Sequence, residues 1–241
     1  MGLRKIPILN GEFYHIYNRG NSRQKIFFDE EDYQHFIKLL FICNSIKQVS
    51  FRDDIIEKKI DAWDFDRGET IVSIGAWVLM PNHFHIFMTS NKSPEESLRG
   101  ESNITIFMRK FCTAYSKYVN TKYKRTGSLF EGKFQAVHVV SDAQAKYLFA
   151  YVHLNPVKLL QKDWKENGIS NKKRALLFLE KYKWSSYLDH LSLARLESRL
   201  LDRENFISCS TNEKDFKKEI FEWFELYPEE SLRGNFDLKK Y

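Results

Sequence analysis

The apolar run from Ile71 to Thr89, interrupted at Pro81-Asn82, constrains the fold more than any other part of this chain. Ile71 to Met80 and His83 to Thr89 each have the length and composition of a strand. The Pro-Asn pair between them is a turn signal, so the spacing predicts a β-hairpin. Successive side chains on a strand point to opposite faces. His83 and His85 therefore project side by side, and Phe84 between them faces a core. Two adjacent imidazoles read either as a pair of metal ligands or as polar partners on a sheet face.

A helix is predicted from Ser141 to Asn155. Ser141 or Asp142 can cap it, and Ala143, Ala145 and Leu148 are good helix formers. Tyr147, Tyr151 and Asn155 recur at every fourth position and share one face. Such a face can offer a phenol and a carboxamide to a phosphate, or can simply pack on a sheet. Pro156 stops the helix just after Asn155.

The remaining pattern sets the fold class. Residues 11 to 19 read as a strand in which Phe13, His15 and Tyr17 alternate against Tyr14, Ile16 and Asn18. Asp29 caps a helix running to about Lys47, with Phe36, Leu39, Leu40 and Cys43 on its apolar face. Residues 49 to 69 are polar and charged, and read as an insertion or lid. Asn91 to Asn103 is a polar loop, Ile104 to Lys122 an amphipathic helix, and Phe134 to Val140 a strand. The order predicts an α+β, ferredoxin-like β-α-β-β-α-β sheet with helices on one face. Residues 1–160 form the main domain. Residues 161–241 form a C-terminal helical extension, with helical periodicity over Lys172–Tyr182, Leu188–Leu201 and Asn212–Tyr227.

At 241 residues and 43% hydrophobic, with 20 phenylalanines, the chain can bury a sizeable core. No apolar run approaches a membrane span and no signal-peptide pattern opens the chain, so a cytoplasmic protein is expected. Cys43, Cys112 and Cys209 have no paired spacing and read as free thiols in a reducing compartment. The net charge is +6. The stretch from Arg109 to Lys146 holds eight basic residues against two acidic ones. Such a belt suits a phosphate backbone, and Phe111, Tyr115, Tyr118, Tyr123, Phe130 and Phe134 within it can stack on unpaired bases. The candidate backbone contacts are Asn18, Arg19 and Arg23 at the end of the first strand, then Lys110, Lys117, Lys124, Arg125 and Lys133. For any one lysine a solvated helix face is the alternative. His15 and His138 lie on strands, from which they could reach the site or stand as satisfied sheet histidines, the commoner case; His153 reads as flanking, and His35 and His190 as surface residues.

Taken together, these motifs resemble the single-tyrosine HUH transposases, in the branch of REP-associated tyrosine transposases. His83-Phe84-His85 stands as the His-hydrophobic-His motif. Phe13-Tyr14-His15-Ile16-Tyr17-Asn18-Arg19-Gly20, Trp77-Val78-Leu79-Met80-Pro81-Asn82, Gly127-Ser128-Leu129-Phe130-Glu131-Gly132-Lys133-Phe134 and Tyr151-Val152-His153-Leu154-Asn155-Pro156-Val157 follow the family pattern in order. Trp184-Ser185-Ser186-Tyr187 lies behind them, and the match spans roughly residues 10 to 190. The resemblance implies that His83, His85 and Asn155 bind a divalent cation, Mg2+ or Mn2+. It implies that Tyr151 attacks single-stranded DNA, leaving a 5′-phosphotyrosine link and a free 3′-hydroxyl. The implied substrate is a short hairpin with a flanking recognition sequence. A homodimer and a monomer both remain open. A DNA-binding protein that has lost its chemistry, and a phosphoesterase using water, are the alternatives.

The chemistry of these residue types is compatible with that role. A phenol has a reference pKa near 10, so supplying phenolate at neutral pH costs on the order of 4 kcal/mol. A cation held by neutral ligands keeps its Lewis acidity and can offset this. Two histidines without thiolates do not make a closed structural zinc site. Magnesium prefers oxygen, so its site would be weak and completed by DNA, whereas manganese suits imidazole better.

Overall fold

The computed structural model describes residues 8–90, 101–191, 193–206 and 212–226. Its centre is a four-stranded antiparallel sheet of β1 (Phe13–Arg19), β2 (Val72–Met80), β3 (His83–Ser90) and β4 (Gln135–Val139), in the order β2-β3-β1-β4. With α1 (Glu30–Cys43) and α2 (Asn103–Lys122) as its crossovers, the chain has the expected α+β, ferredoxin-like order. The Pro81-Asn82 turn closes the β2–β3 hairpin, with Met80 paired to His83.

Each strand's alternation divides the core in two. Tyr14, Ile16, Phe84, Ile86 and Met88 pack with α1 and α2 on one face. Ala76, Val78, Met80 and Phe87 pack on the other, against α3 (Asp142–Leu154) and later segments. The helices of the β-α-β-β-α-β unit thus lie on one face, and the rest of the chain covers the opposite one.

The helix ends follow their caps. Asp29 and Asp32 form a reciprocal capping box at the start of α1. The helix stops at Cys43, short of Lys47, because the Asn44 amide turns away to bind the start of β2. Its Oδ1 accepts from Ile71 N and Val72 N, and its Nδ2 donates to Val72 O. Ser141 caps α3 by accepting from Gln144 N. After Leu154 the chain tightens into a 3-10 turn over Asn155–Leu159, with Pro156 in its first turn.

The polar segment 49–69 is anchored to the core rather than standing clear as a lid. Ala62 and Trp63 are buried against α1, and Trp63 contacts Phe41 at 4.9 Å. The loop expected from Asn91 lies outside the described residues as far as residue 100.

The extension is less regular than its periodicity suggests. It contains α4 (Trp164–Asn167), α5 (Lys172–Leu179) and α6 (Glu213–Leu226). The helix expected over Leu188–Leu201 is replaced by 3-10 turns at Ser186–His190 and Leu196–Leu200. Arg195 donates to the carbonyls of Lys183 and Ser185, which draws the chain back across the sheet edge. Ser185 bridges Val78 and Leu201 bridges Ile74, so this segment covers the outer edge of β2. Gly75 sits at an irregularity in β2 where the Phe206 ring packs directly on the backbone, and a Cβ there would lie 2.2 Å from Phe206 Cδ1.

One buried polar link joins α3 to this edge. His153 Nδ1 donates to Phe149 O, leaving Nε2 to accept from the Ser186 hydroxyl at 2.8 Å. Trp77 N donates to the same Ser186 oxygen at 2.9 Å. His153 is therefore structural. Ser186→Ala leaves two buried groups unpaired and is expected to cost about 1–3 kcal/mol. Urea unfolding checks this, and a loss under about 0.5 kcal/mol would show that the link does not hold α3 in place.

Candidate active site

His83 and His85 face α3, on the side of the sheet away from α1 and α2, as their spacing requires. Their rings lie 5.0 Å apart. The antiparallel register sets Arg19 opposite His83 and Tyr17 opposite His85. His15 is the diagonal neighbour of His85 on the same face, and its Nε2 lies 2.9 Å from His85 Nδ1. The sequence placed His15 on a strand as a satisfied histidine. In the structure it is the residue that orients His85.

The hydrogen bonds define what these rings present. His83 Nδ1 donates to Asn82 Oδ1 at 2.7 Å, which leaves the lone pair on Nε2. In the tautomer in which His85 Nδ1 donates to His15 Nε2, His85 likewise offers Nε2. That Nε2 is buried without a hydrogen-bond partner, and so is Asn155 Oδ1. A metal-binding imidazole characteristically donates its second N–H to an oxygen or a neighbouring base. Among the described residues no three His, Cys, Asp or Glu side chains are placed to hold a metal. A cation here would rely on two imidazoles and the Asn155 amide, and the two orphaned acceptors fit that donor set.

Tyr151 lies against this group. Its ring is 5.4 Å from His85 and 6.1 Å from His15, edge to face in both cases. Tyr151 and Asn155 therefore approach the histidines from one helical face. Tyr151 is 1% exposed. Trp164 stacks 6.3 Å away at 14°, and Lys165 Nζ lies 4.2 Å from the ring centroid. The short helix α4 thus covers the phenol ring.

The site is electropositive. Burial drives His15 and His83 down to about 3, and Lys165 adds to both shifts. Lys158 and Arg19 push His83 the same way, and the Asn155 amide partly opposes them without making a well-formed hydrogen bond. His85 is held well below its ordinary value by burial and then by the neighbouring histidines and lysines. The Lys158 ammonium is itself lowered by burial, then by Lys165, and to a lesser degree by Arg23. Neutral imidazoles therefore lie beside Lys158 and Lys165, with Arg19 near His83 and Arg23 beyond Lys158. Such an arrangement favours an anion.

The backbone at this edge is tightly turned. Ser22 and Arg23 both have positive φ, 52° and 59°, a conformation that side chains other than glycine adopt at a cost. Asn82 Nδ2 donates to Arg23 O, so the residue that orients His83 also fastens this turn. At Gly20 a Cβ would lie 2.1 Å from Gln24 O, and only glycine allows the chain to double back there.

The other sequence candidates divide. Arg19 stands beside His83 but is ion-paired with Glu131. Arg23 is exposed at the same edge. Arg125 donates to Gln24 at 2.9 Å, beside Arg23. Lys124 and Lys133 are exposed on the loops leading into β4. Asn18 points to the opposite face and donates to Gly132 O. Lys110 and Lys117 belong to α2, across the sheet from Tyr151, and Lys110 donates to the carbonyls of Ser45 and Lys47. The basic belt is therefore not one surface beside Tyr151. Lys122, half-buried within it, is spent on Asp29, Glu31 and Asp32.

The belt's aromatics are not free for bases. Phe111, Tyr115, Phe130 and Phe134 are core residues. Tyr118 and Tyr123 bond Asp32. His138 pairs with Glu12. His35 and His190, read as surface residues, are half-buried and stack on Tyr118 and Phe216. Lys158, Lys165 and Asn82 had no signal in the sequence beyond their nearness to the motifs.

Histidines buried in the neutral form make stability depend on pH with a definite sign. Their folded pKa lies below the unfolded value of about 6.5, so the unfolded state binds more protons between pH 6.5 and about 3. Stability is full above pH 6.5 and falls through that window, by up to about 1.4 kcal/mol per pH unit per histidine. Urea unfolding without divalent cations at pH 7, 6 and 5 is expected to show this loss, and His15→Phe to reduce its slope. A flat profile would show that these rings ionise freely in the folded protein.

No protein-family model matches the chain. No curated protein matches it. Among solved structures, the chain is similar to a REP-associated tyrosine transposase bound to a REP hairpin. The identity is 12% and the TM-score 0.47, covering 82% of this chain and 90% of that one.

Proposed function

We propose that this chain is a metal-dependent DNA strand transferase that cuts and rejoins single-stranded DNA through Tyr151. The observation that carries the reading is the meeting of two oriented imidazoles, the orphaned Asn155 oxygen and the Tyr151 ring inside a collar of cations. The hairpin substrate follows from the sequence resemblance. The metal is Mg2+ or Mn2+, held by His83, His85 and Asn155, and it would supply Lewis-acid polarisation of a phosphate oxygen. A neutral ligand set surrounded by lysines holds a dication poorly on its own, so metal and DNA phosphate are expected to bind together.

The chain's own residues account for much of the chemistry. The Tyr151 oxygen attacks phosphorus and its proton passes to solvent. The new O–P bond forms as the bond from phosphorus to the 3′-oxygen breaks, and that oxygen takes up a proton from solvent and leaves as a hydroxyl. Lys165 sits 4.2 Å from the ring centroid. From that side its positive charge favours the phenolate over the neutral phenol. Lys158, Arg19 and Arg23 face the phosphate and limit its repulsion of the incoming phenolate. Access for the phosphodiester requires the Trp164 ring to shift from the Tyr151 ring while Lys165 keeps its place.

The burial of Tyr151 favours a second reading, in which the chain binds hairpin DNA without cutting it. One experiment separates the two. A hairpin with single-stranded flanks, labelled at its 3′ end so that the label stays with the 5′-phosphotyrosine fragment, is incubated with Mn2+ and run on a denaturing protein gel. We expect a covalent adduct, its loss in Tyr151→Phe with DNA binding retained, and a fall of about 10²-fold or more in adduct formation for Lys165→Met. Binding without any adduct would establish the silent reading. Cleavage that survives Tyr151→Phe, with a free 5′-phosphate, would point to attack by water.

A further inference from the structure

A cavity of about 230 Å³ lies between α3, the turn after α4, and α6. Its walls include Tyr147, Lys165, Ile169, Phe221 and Phe224. Tyr147 is one helical turn before Tyr151, and the two rings lie 6.3 Å apart and 10° from parallel. Phe224 stacks on Tyr147 at 5.4 Å and 19°. Trp164 closes the group, 6.3 Å from Tyr151 and 4.7 Å from Phe224, so the four rings pack around one another, and two of them, Tyr147 and Phe224, line the cavity. Its volume is below the roughly 300–1,000 Å³ of a drug-sized site and suits one flat ring system.

We propose that this cavity receives one unpaired nucleobase of the DNA strand, next to the phosphate at Tyr151. The inference rests on the strand-transferase reading and adds a base-binding subsite to it. Lys165 makes the link. Lys165 lines the cavity, its ammonium lies over Tyr151, and its field reaches His83 and His85. A nucleotide with its base among Tyr147, Phe221 and Phe224 would set its phosphate beside that ammonium. Glu225, the acidic group at the cavity, is ion-paired with Lys172, so its charge is balanced within the chain. The aromatics expected to stack on bases from α2 are core residues, and this cavity supplies a stacking surface in their place.

The test is a scan of labelled hairpins in which a single abasic position is stepped along the single-stranded flank. Binding to the full chain with Mn2+ is read by anisotropy. One abasic position is expected to weaken binding about tenfold, the scale of one base–aromatic stack. Ile169→Trp, which fills the cavity, should weaken the intact hairpin to the same degree and abolish the effect of that position. Ile169→Phe gives the same comparison with a smaller ring if the tryptophan variant does not fold.

A scan with no position above twofold overturns the inference, as does an Ile169→Trp protein that keeps the wild-type profile. Tighter DNA binding by Ile169→Trp would mean that the cavity holds a segment of this chain, which also overturns it. A covalent adduct with a flat scan removes the subsite and leaves the strand-transferase reading standing. Failure to bind any hairpin removes both.

Discussion

The structure depends on the period-two geometry of one strand, β3. Phe84, Ile86 and Met88 are held in a core with α1 and α2, and that core fixes which way His83 and His85 point. A shift of one residue in register would turn both imidazoles under α1 and α2 and Phe84 onto the face covered by α3. The short Pro81-Asn82 turn and the pairing with β1 prevent that shift. Everything at the candidate site is placed relative to these two side chains.

The second sheet face is assembled from parts distant in sequence. β1 supplies His15 to orient His85, and the hairpin turn supplies Asn82 to orient His83. α3 brings Tyr151 and Asn155, while α4 and the preceding 3-10 turn bring Lys165 and Lys158. His153 and Ser186 tie α3 to the edge of β2, so the helix carrying the phenol is fastened to the sheet carrying the imidazoles. The result is a group of neutral side chains, two of whose buried polar atoms lack hydrogen-bond partners, set beside buried lysines. A metal ion alone or a phosphate alone satisfies only half of it, which is why the two are expected to bind together.

Much of this was legible in the sequence because it depends on short periods. Alternation located the strands, and i, i+4 spacing put Tyr151 and Asn155 on one helical face. The spacing in His83-Phe84-His85 put both rings on one side. What was not legible depends on tertiary placement. The charges of α2 read as a belt near Tyr151, but an amphipathic helix does not reveal which face of a sheet it covers. His15 looked like an ordinary strand histidine because its partner is 70 residues away. Lys158 and Lys165 reach the site only because Pro156 tightens the chain and α4 folds back. The helical period of Leu188–Leu201 was overridden by Arg195 binding the carbonyls of Lys183 and Ser185.

The central claim is that His83 and His85 present their Nε2 atoms to one cation. Pulsed electron paramagnetic resonance of Mn2+ bound to the Tyr151→Phe protein with hairpin DNA tests it directly. The account predicts hyperfine coupling to two imidazole nitrogens, reduced to one in His83→Ala and to one in His85→Ala. Bound Mn2+ with no nitrogen coupling, or a signal unchanged by both substitutions, would contradict it.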